Sequence, residues 1–511
     1  MLQLASLINR QARFRGDYPA LSFEGETHTY AQFAARVNRT AHALAGLGIS
    51  RRDKVATVLA NCRELVEVMW AVPSLGAANV PLSPLLLAPG LLSLLNDAEA
   101  AALITQRSML PVIDSIRAEL PPRLRDRILL VDGAAAGCFD LAALRDAASD
   151  AALEVHVSQD DLFNIMYTSG TTGLPKGIMH THFVRSMYCL LMTAAWRMTP
   201  ESVVLHTGAI VFNGAFVTFM PCFYLGAHYV LARQFNAAEM IELVARHKVT
   251  HTMMVPAQIV AMLDAPNFPP EKLASLQMIL SLGAPLHQEQ KDKLNTLLPG
   301  RFYELYGLTE GFVTILDATD STRKSGSVGI AAPFNQMRIV REDGTDAPPN
   351  EVGEIVGRGP MLMAGYHGRP DLTAQAIRDG WLFTGDMGFV DEDGYLHLVD
   401  RKKDMIDSGG VKVYPKDVEE VVARHPAVRE VAVFGIPDEK WGETPVAAVI
   451  LHHPSAIDAN TLRDWVNERV AARYQRLNRV LIVDDFPRSA AGKTLKREMR
   501  APFWKGIDRN I

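Results

Sequence analysis

One short run concentrates more potential chemistry than any other part of the chain. Tyr167-Thr168-Ser169-Gly170-Thr171-Thr172-Gly173-Leu174-Pro175-Lys176-Gly177 sets four small hydroxyl residues, three glycines and one lysine side by side. Glycine admits positive φ and lets backbone N–H groups crowd toward a ligand. Successive N–H groups in such a turn make a concave anion site, to which Ser and Thr hydroxyls add donors. Lys176 adds a mobile positive charge on a flexible stem. Thr168, Ser169, Gly170, Thr171, Thr172, Gly173 and Lys176 together describe a polyphosphate cradle. It is not a Walker A loop, because Pro175 stands where that motif needs Gly and Gly177 where it needs Ser or Thr. The ordinary kinase and GTPase readings therefore fail.

A second run, Tyr306-Gly307-Leu308-Thr309-Glu310, follows after about 130 residues. An aromatic beside Gly can stack on a nucleobase. The Thr309 hydroxyl can hold an α-phosphate oxygen, and Glu310 can hold Mg²⁺, which takes hard oxygen ligands and bridges to phosphates. In this order and spacing the two runs resemble the signatures of the adenylate-forming superfamily, which includes acyl-CoA synthetases, aryl-CoA ligases, luciferases and nonribosomal-peptide adenylation domains. The resemblance covers nearly the whole chain. It implies two half-reactions: a carboxylate attacks the α-phosphate of ATP to give an acyl-adenylate and pyrophosphate, and a thiol, usually that of coenzyme A, then displaces AMP.

The same resemblance assigns further positions. Gly283-Ala284-Pro285 would touch adenine through the backbone. Trp381-Leu382-Phe383-Thr384-Gly385-Asp386 resembles the family's ribose motif, and a carboxylate such as Asp386 suits a pair of ribose hydroxyls. Arg401 would donate to the ribose or the α-phosphate, and Lys403 matches the hinge position. Pro487-Arg488-Ser489-Ala490-Ala491-Gly492-Lys493-Thr494 resembles the terminal signature, whose lysine, here Lys493, bridges acid and α-phosphate as charge builds in the transition state. Catalysis would thus rest on Lys493, Thr309, Glu310 and Lys176, with Glu310 the metal ligand. The acid pocket, by family analogy, would be walled by Phe212, Asn213, Phe216, Leu282, Gly307 and Val328.

Three positions depart from the family pattern. Val211 stands at about the place of a usual histidine. Phe212-Asn213 replaces the Phe-Asp that pairs with a substrate ammonium in amino-acid-activating domains. Glu304 and Leu305 replace smaller or amide residues. The expected activity is therefore an ATP-dependent acid–CoA ligase for an acid without an α-amino group, aromatic or medium-to-long aliphatic, using ATP, Mg²⁺ and coenzyme A. An acyl-AMP ligase loading a carrier protein and a non-catalytic ATP-binding sensor are the alternatives. A luciferase-like oxygenase has no specific support.

The elements that must position these residues read as α/β. The chain has 511 residues, too many for one core. A helix is expected over Tyr30–Leu47, strands over Lys54–Ala60 and Ala77–Leu82 with a helix over Glu64–Val72 between them, then a helix over Ala238–His247 and strands over Thr252–Val255 and Ser275–Leu282. Strand–helix–strand alternation means a parallel sheet. Ser202 to Ala232 carries no Asp, Glu, Lys or Arg, yet its His, Asn, Pro and Gly residues favour a buried strand–loop–helix over a membrane span. The Ala-rich stretch 134–153 is expected to be local helix and loop. After Asp400 the expected pattern is a helix over Pro415–Arg424, strands over Val428–Gly435 and Pro445–Leu451, and a helix over Leu462–Ala472. The expected architecture is a large N-terminal domain of α/β subdomains, 1–400, binding ATP and acid, plus a small mobile α+β lid, 401–511.

Hydrophobic residues at 48% and charged residues at 21% are ordinary for a soluble enzyme. A net charge of −5 gives no case for nucleic acid or an anionic membrane. Four cysteines without CxxC spacing, no visible secretory signal and no peroxisomal address fit a cytoplasmic enzyme. The sequence leaves the oligomeric state open.

Overall fold

Two large sheets and the helices packed on them account for most of the chain. The computed structural model describes residues 4–168, 176–265, 268–401, 404–408, 411–439, 441–488 and 494–505. Contacts divide the chain into two compact units. The first comprises 1–325, 329–336 and 358–382, and the second 326–328, 337–357 and 383–511. Residues 383–400 thus cluster with the C-terminal unit rather than with the N-terminal one.

In the first unit, an eight-stranded sheet runs in the order Gly365–Tyr366, Lys176–Thr181, Leu162–Thr168, Ala78–Leu82, Lys54–Val58, Ala102–Thr105, Ile128–Leu130, Phe139–Asp140. A nine-stranded sheet has Val203–His206, His251–Met254, Met278–Leu282 and Phe302–Gly307 as adjacent parallel strands at its centre. One apolar core joins the two sheets through the helices Arg63–Ser74, His182–Ala195 and Asn213–Leu225. Trp70 stacks on Phe219 at 5.6 Å within it. Aromatic pairs of this kind add a directional term to area burial.

The expected elements are present with shifted ends. The first long helix spans Tyr30–Gly46, opened by a capping box between Thr29 and Gln32. The charge-free stretch is a strand, Val203–His206, a loop, the helix Asn213–Leu225 closed by Gly226 at φ +73°, and a strand, His228–Leu231. Among the described residues no helix is long and apolar enough to cross a membrane. The strand expected from Ser275 begins at Met278, because Leu276 N–H closes a turn on Leu273 O. In the Ala-rich stretch a helix, Leu141–Asp146, is capped by Asp140.

The second unit holds a sheet of Val411–Val413, Ile406–Ser408, Gly442–Leu451 and Val428–Asp438, with Arg479–Ile482 added beside Gly442–Leu451. Helices Pro415–Ala423 and Ala459–Asn467 share one of its cores. The latter helix starts at its Asp458 cap and stops at Asn467, five residues before the expected end. The Asn467 side chain there bonds both the N–H and the carbonyl of Leu477, which ends the helix by satisfying backbone from another segment.

Candidate active site

Parallel strands offer ligands their carboxyl ends, where loops can be shaped without disturbing the ladder. Gly283-Ala284-Pro285 follows Met278–Leu282 directly and is exposed, with Gly283 at φ +92°. Tyr306 and Gly307 close Phe302–Gly307, and Thr309 and Glu310 come immediately after. Phe212 and Asn213 stand at the start of a helix reached from Val203–His206. Asn61 fastens that connection, donating to Gly208 O at 2.6 Å and accepting from Ile210 N–H at 3.0 Å. A Cβ on Gly214 would lie 2.8 Å from Leu282 Cδ1, so the helix start and the end of the Met278–Leu282 strand touch closely. Phe216 and Leu282 are buried and Gly307 is exposed.

The strands on either side of the hydroxyl- and glycine-rich run pair with each other. Leu162–Thr168 and Lys176–Thr181 pair antiparallel with Thr168 opposite Lys176. Ser169, Gly170, Thr171, Thr172 and Gly173 lie outside the described residues. Lys176 Nζ stands 4.9 Å from the centroid of the Tyr366 ring, a cation–π distance. The Tyr366 hydroxyl donates to Glu310 Oε1 at 2.8 Å, and Glu310 O accepts from Met363 N–H at 2.8 Å. Burial and the Glu310 carboxylate push the Tyr366 phenol up, so it remains a protonated donor. Tyr366 thus ties the lysine of one motif to the carboxylate of the other. Its pairing with Ile178 explains how a residue so distant in sequence arrives there.

Behind Thr309 lies a second chain of hydrogen bonds. His180 is fully buried, its Nε2 2.8 Å from Thr309 O and its Nδ1 3.2 Å from Arg185 Nη2. Arginine only donates, so Nδ1 accepts and Nε2 carries the proton that it gives to Thr309 O. Burial first, then the Arg185 charge, hold the imidazole pKa far below its ordinary value, keeping it neutral. Arg185 continues the chain. Its Nε donates to Asn164 Oδ1 at 2.9 Å and its Nη2 to Asn213 Oδ1 at 2.8 Å. Asn213 is therefore engaged by a neighbouring helix and not by its local backbone. Sequence reasoning missed His180, Arg185 and Tyr366. The one signal for Arg185 is a lone charge in the apolar run Phe183-Val184-Arg185-Ser186-Met187-Tyr188.

Glu304 also finds its explanation. It is buried and accepts from Lys291 Nζ at 2.5 Å, Lys291 being carried by the helix Gln288–Leu297. Val211 is buried at the place of the usual histidine.

In the second unit, Asp386 lies directly opposite Arg401 across the antiparallel ladder of Trp381–Val390 and Leu396–Arg401. The turn before Asp386 is set by Thr384, whose Oγ1 donates to Ile355 O at 2.7 Å and accepts from Asp386 N–H at 3.1 Å. Val328 is buried in this unit, its N–H on Leu396 O at 2.8 Å. Lys403 and Lys493 lie outside the described residues.

The fold is that of an α/β enzyme with a large N-terminal part and a small C-terminal one. The AMP-binding enzyme family model matches residues 8–367, and the AMP-binding enzyme C-terminal domain model matches residues 417–493. Feruloyl-CoA synthase from Amycolatopsis sp is 34% identical over 504 residues, covering 98% of this chain and 99% of that protein. The long-chain-fatty-acid–CoA ligase FadD13 of Mycobacterium tuberculosis is 34% identical over 484 residues, 93% of each chain. The crystal structure of ATP-bound MatB from Rhodopseudomonas palustris superposes with a TM-score of 0.90 at 29% identity, covering 99% of this chain and 100% of that one. The chain belongs to the AMP-binding enzyme family. It is an ATP-dependent, AMP-forming acid–CoA ligase, and its acid lacks an α-amino group.

Proposed function

We propose that the chain adenylates an aromatic or medium-to-long aliphatic carboxylic acid and passes the acyl group to coenzyme A, with the acid seated against Phe212, Asn213, Phe216, Leu282, Gly307 and Val328. An acid carboxylate oxygen attacks the α-phosphorus of ATP and pyrophosphate leaves. The CoA sulfur then attacks the acyl carbon and AMP leaves. The observation that carries this reading is the hydrogen-bonded chain Thr309–His180–Arg185–Asn213, which ties the nucleotide motif to the acid segment. The apolar wall supports an acid with a hydrophobic body, since such pockets combine apolar lining with few polar handles.

In this reading the turn 169–173 and Lys176 hold the phosphates, and Gly283-Ala284-Pro285 and Tyr306 hold adenine. Thr309 holds the α-phosphate, and Asp386 and Arg401 hold the ribose. Among the described residues no cluster of three metal-ligating side chains exists. Glu310 alone fits Mg²⁺ that arrives on ATP with most of its ligands supplied by phosphate and water. Residues 401–511 form a lid that turns on Lys403 and delivers Lys493 for the first half-reaction only. The chain's four cysteines, all free thiols, suit a reducing cytoplasm.

Lys493→Ala tests this. Pyrophosphate exchange should fall on the order of 10²-fold or more, while thioester formation from a supplied acyl-adenylate is largely spared. Lys403→Pro should do the reverse, because proline fixes the φ that a hinge must change. Equal loss of both half-reactions in Lys493→Ala contradicts the assignment.

A further inference from the structure

Arg185 is fully buried, and among the described residues it has no carboxylate partner. Burial lowers its pKa only to about 10, so it is charged at neutral pH. The rings of Phe216 and Tyr188 lie against it, with the guanidinium carbon 4.3 Å and 4.7 Å from their centroids. Such contacts offset part of the desolvation. Two of its three nitrogens are engaged, by Asn164, His180 and Asn213. The third, Nη1, is buried and has no hydrogen-bond partner, and neither has the Nδ2 of Asn164, whose Oδ1 accepts from Arg185 Nε.

Both orphans are donors, and the acceptors in the enclave are spent. Asn164 Oδ1, Asn213 Oδ1 and His180 Nδ1 already face the guanidinium. The Asn213 amide donates to the Tyr188 hydroxyl oxygen at 3.5 Å, so this neutral acceptor is engaged as well. A buried donor without a partner carries its full desolvation cost, and an unpaired buried charge costs several kcal/mol more. The local chemistry therefore lacks one thing, a strong acceptor with negative charge. Arg185 bonds Asn213, the partly exposed residue that opens the acid-pocket helix, and reaches Thr309 through His180. Of the side chains around the guanidinium, Asn164, His180 and Tyr188 are buried and Asn213 is partly exposed, so the side of Asn213 is the approach open to an anion.

We propose that Arg185, with Asn164, Asn213 and Tyr188, receives a second carboxylate at the far end of the acid, so that the preferred substrate is a dicarboxylic acid. The planar fork of arginine suits a carboxylate geometrically. The proposal rests on the placement of the acid against Phe212–Phe216 argued above. A site built to bond a polar group rejects the analogue that lacks it by large factors, because its own groups are then left unpaired.

The test compares matched pairs in acid-dependent pyrophosphate exchange and in thermal shift without turnover: adipic against hexanoic acid, suberic against octanoic, 4-carboxycinnamic against cinnamic. In the wild type the diacid of the best pair should be favoured by about 10²-fold in kcat/KM and should raise Tm more than its partner does. Arg185→Met should collapse that ratio toward unity or below. Asn213→Asp, which supplies the missing carboxylate internally, should collapse it as well and raise Tm without ligand. If Arg185→Met does not fold, Asn213→Asp decides. A wild-type ratio near or below one, or a ratio that survives in the folded variants, overturns the proposal. Exchange with monoacids alone overturns the proposal but leaves the ligase reading intact. Diacid-specific stabilisation lost in Asn213→Asp, with no exchange for any acid, overturns the ligase reading and leaves the receptor.

Discussion

Two basic side chains buried in the first unit meet opposite treatment. Lys291 is 7% exposed and faces Glu304 at 2.5 Å, while Arg185 is 0% exposed and faces only neutral partners. The two lie on different faces of the same structure. Along the strand Phe302–Gly307, Phe302 belongs to the core shared with Leu294 of the Lys291 helix, whereas Tyr303 and Leu305 belong to the core between the sheets that also holds Val184 and Tyr188. Alternate residues of a strand point to opposite faces. On the outer face the protein supplies its own counter-ion and the site is closed. On the inner face it leaves a charge to be met from outside. A buried cation is therefore informative about ligands only when its counter-charge is missing.

The comparison can be broken by removing one partner at a time. Glu304→Ala strands Lys291 as an unpaired buried charge and should cost about 3–5 kcal/mol in denaturant unfolding, the largest stability effect expected here. Arg185→Met removes a charge that has no counter-ion. The hydrogen bonds to Asn164, Asn213 and His180 and the ring contacts to Phe216 and Tyr188 are lost, against the relief of a desolvated cation, so its cost should stay within about 2 kcal/mol. If it costs as much as Glu304→Ala, Arg185 is a structural brace and the contrast fails. Replacing the pair together, Lys291→Met with Glu304→Leu, should be close to neutral or stabilising by about 1–4 kcal/mol, since apolar packing commonly replaces a buried ion pair without loss.

Histidine sharpens the contrast, because it can be buried neutral where arginine cannot. His206 is buried with both ring nitrogens unpaired, and burial alone lowers its pKa to about 4. Its folded pKa lies below the unfolded value of about 6.5. As pH falls below about 6.5 the unfolded chain takes up a proton that the folded chain refuses until about 4. Stability is therefore complete above that window and is lost through it, at about 1.4 kcal/mol per pH unit for one group. His206→Phe should flatten the stability–pH slope between about pH 4 and 6.5 by one proton. Denaturant melts at three pH values measure it, and an unchanged slope would show that His206 titrates normally.

Much of this was legible in the sequence because the signals are local. The alternation of apolar strands and amphipathic helices sufficed for the parallel strands at the centre of the sheets. Glu304 was not legible because its partner sits on a helix whose approach depends on the packed fold. Tyr366 was not legible because a two-residue strand, Gly365–Tyr366, carries it to the strand Lys176–Thr181. The histidine at 180 gives no signal in the sequence, and the arginine at 185 only that of a lone charge in an apolar run. Their meaning lies in Asn164 and Asn213, brought in from elsewhere in the chain.

The most direct test of the central claim is isotope exchange between pyrophosphate and ATP, followed by CoA addition and product analysis. Acid-dependent exchange without CoA, then AMP released in equal amount with an acyl-CoA thioester, is the predicted result. Thioester formation that releases ADP, or that proceeds with no acid-dependent exchange, would contradict the account.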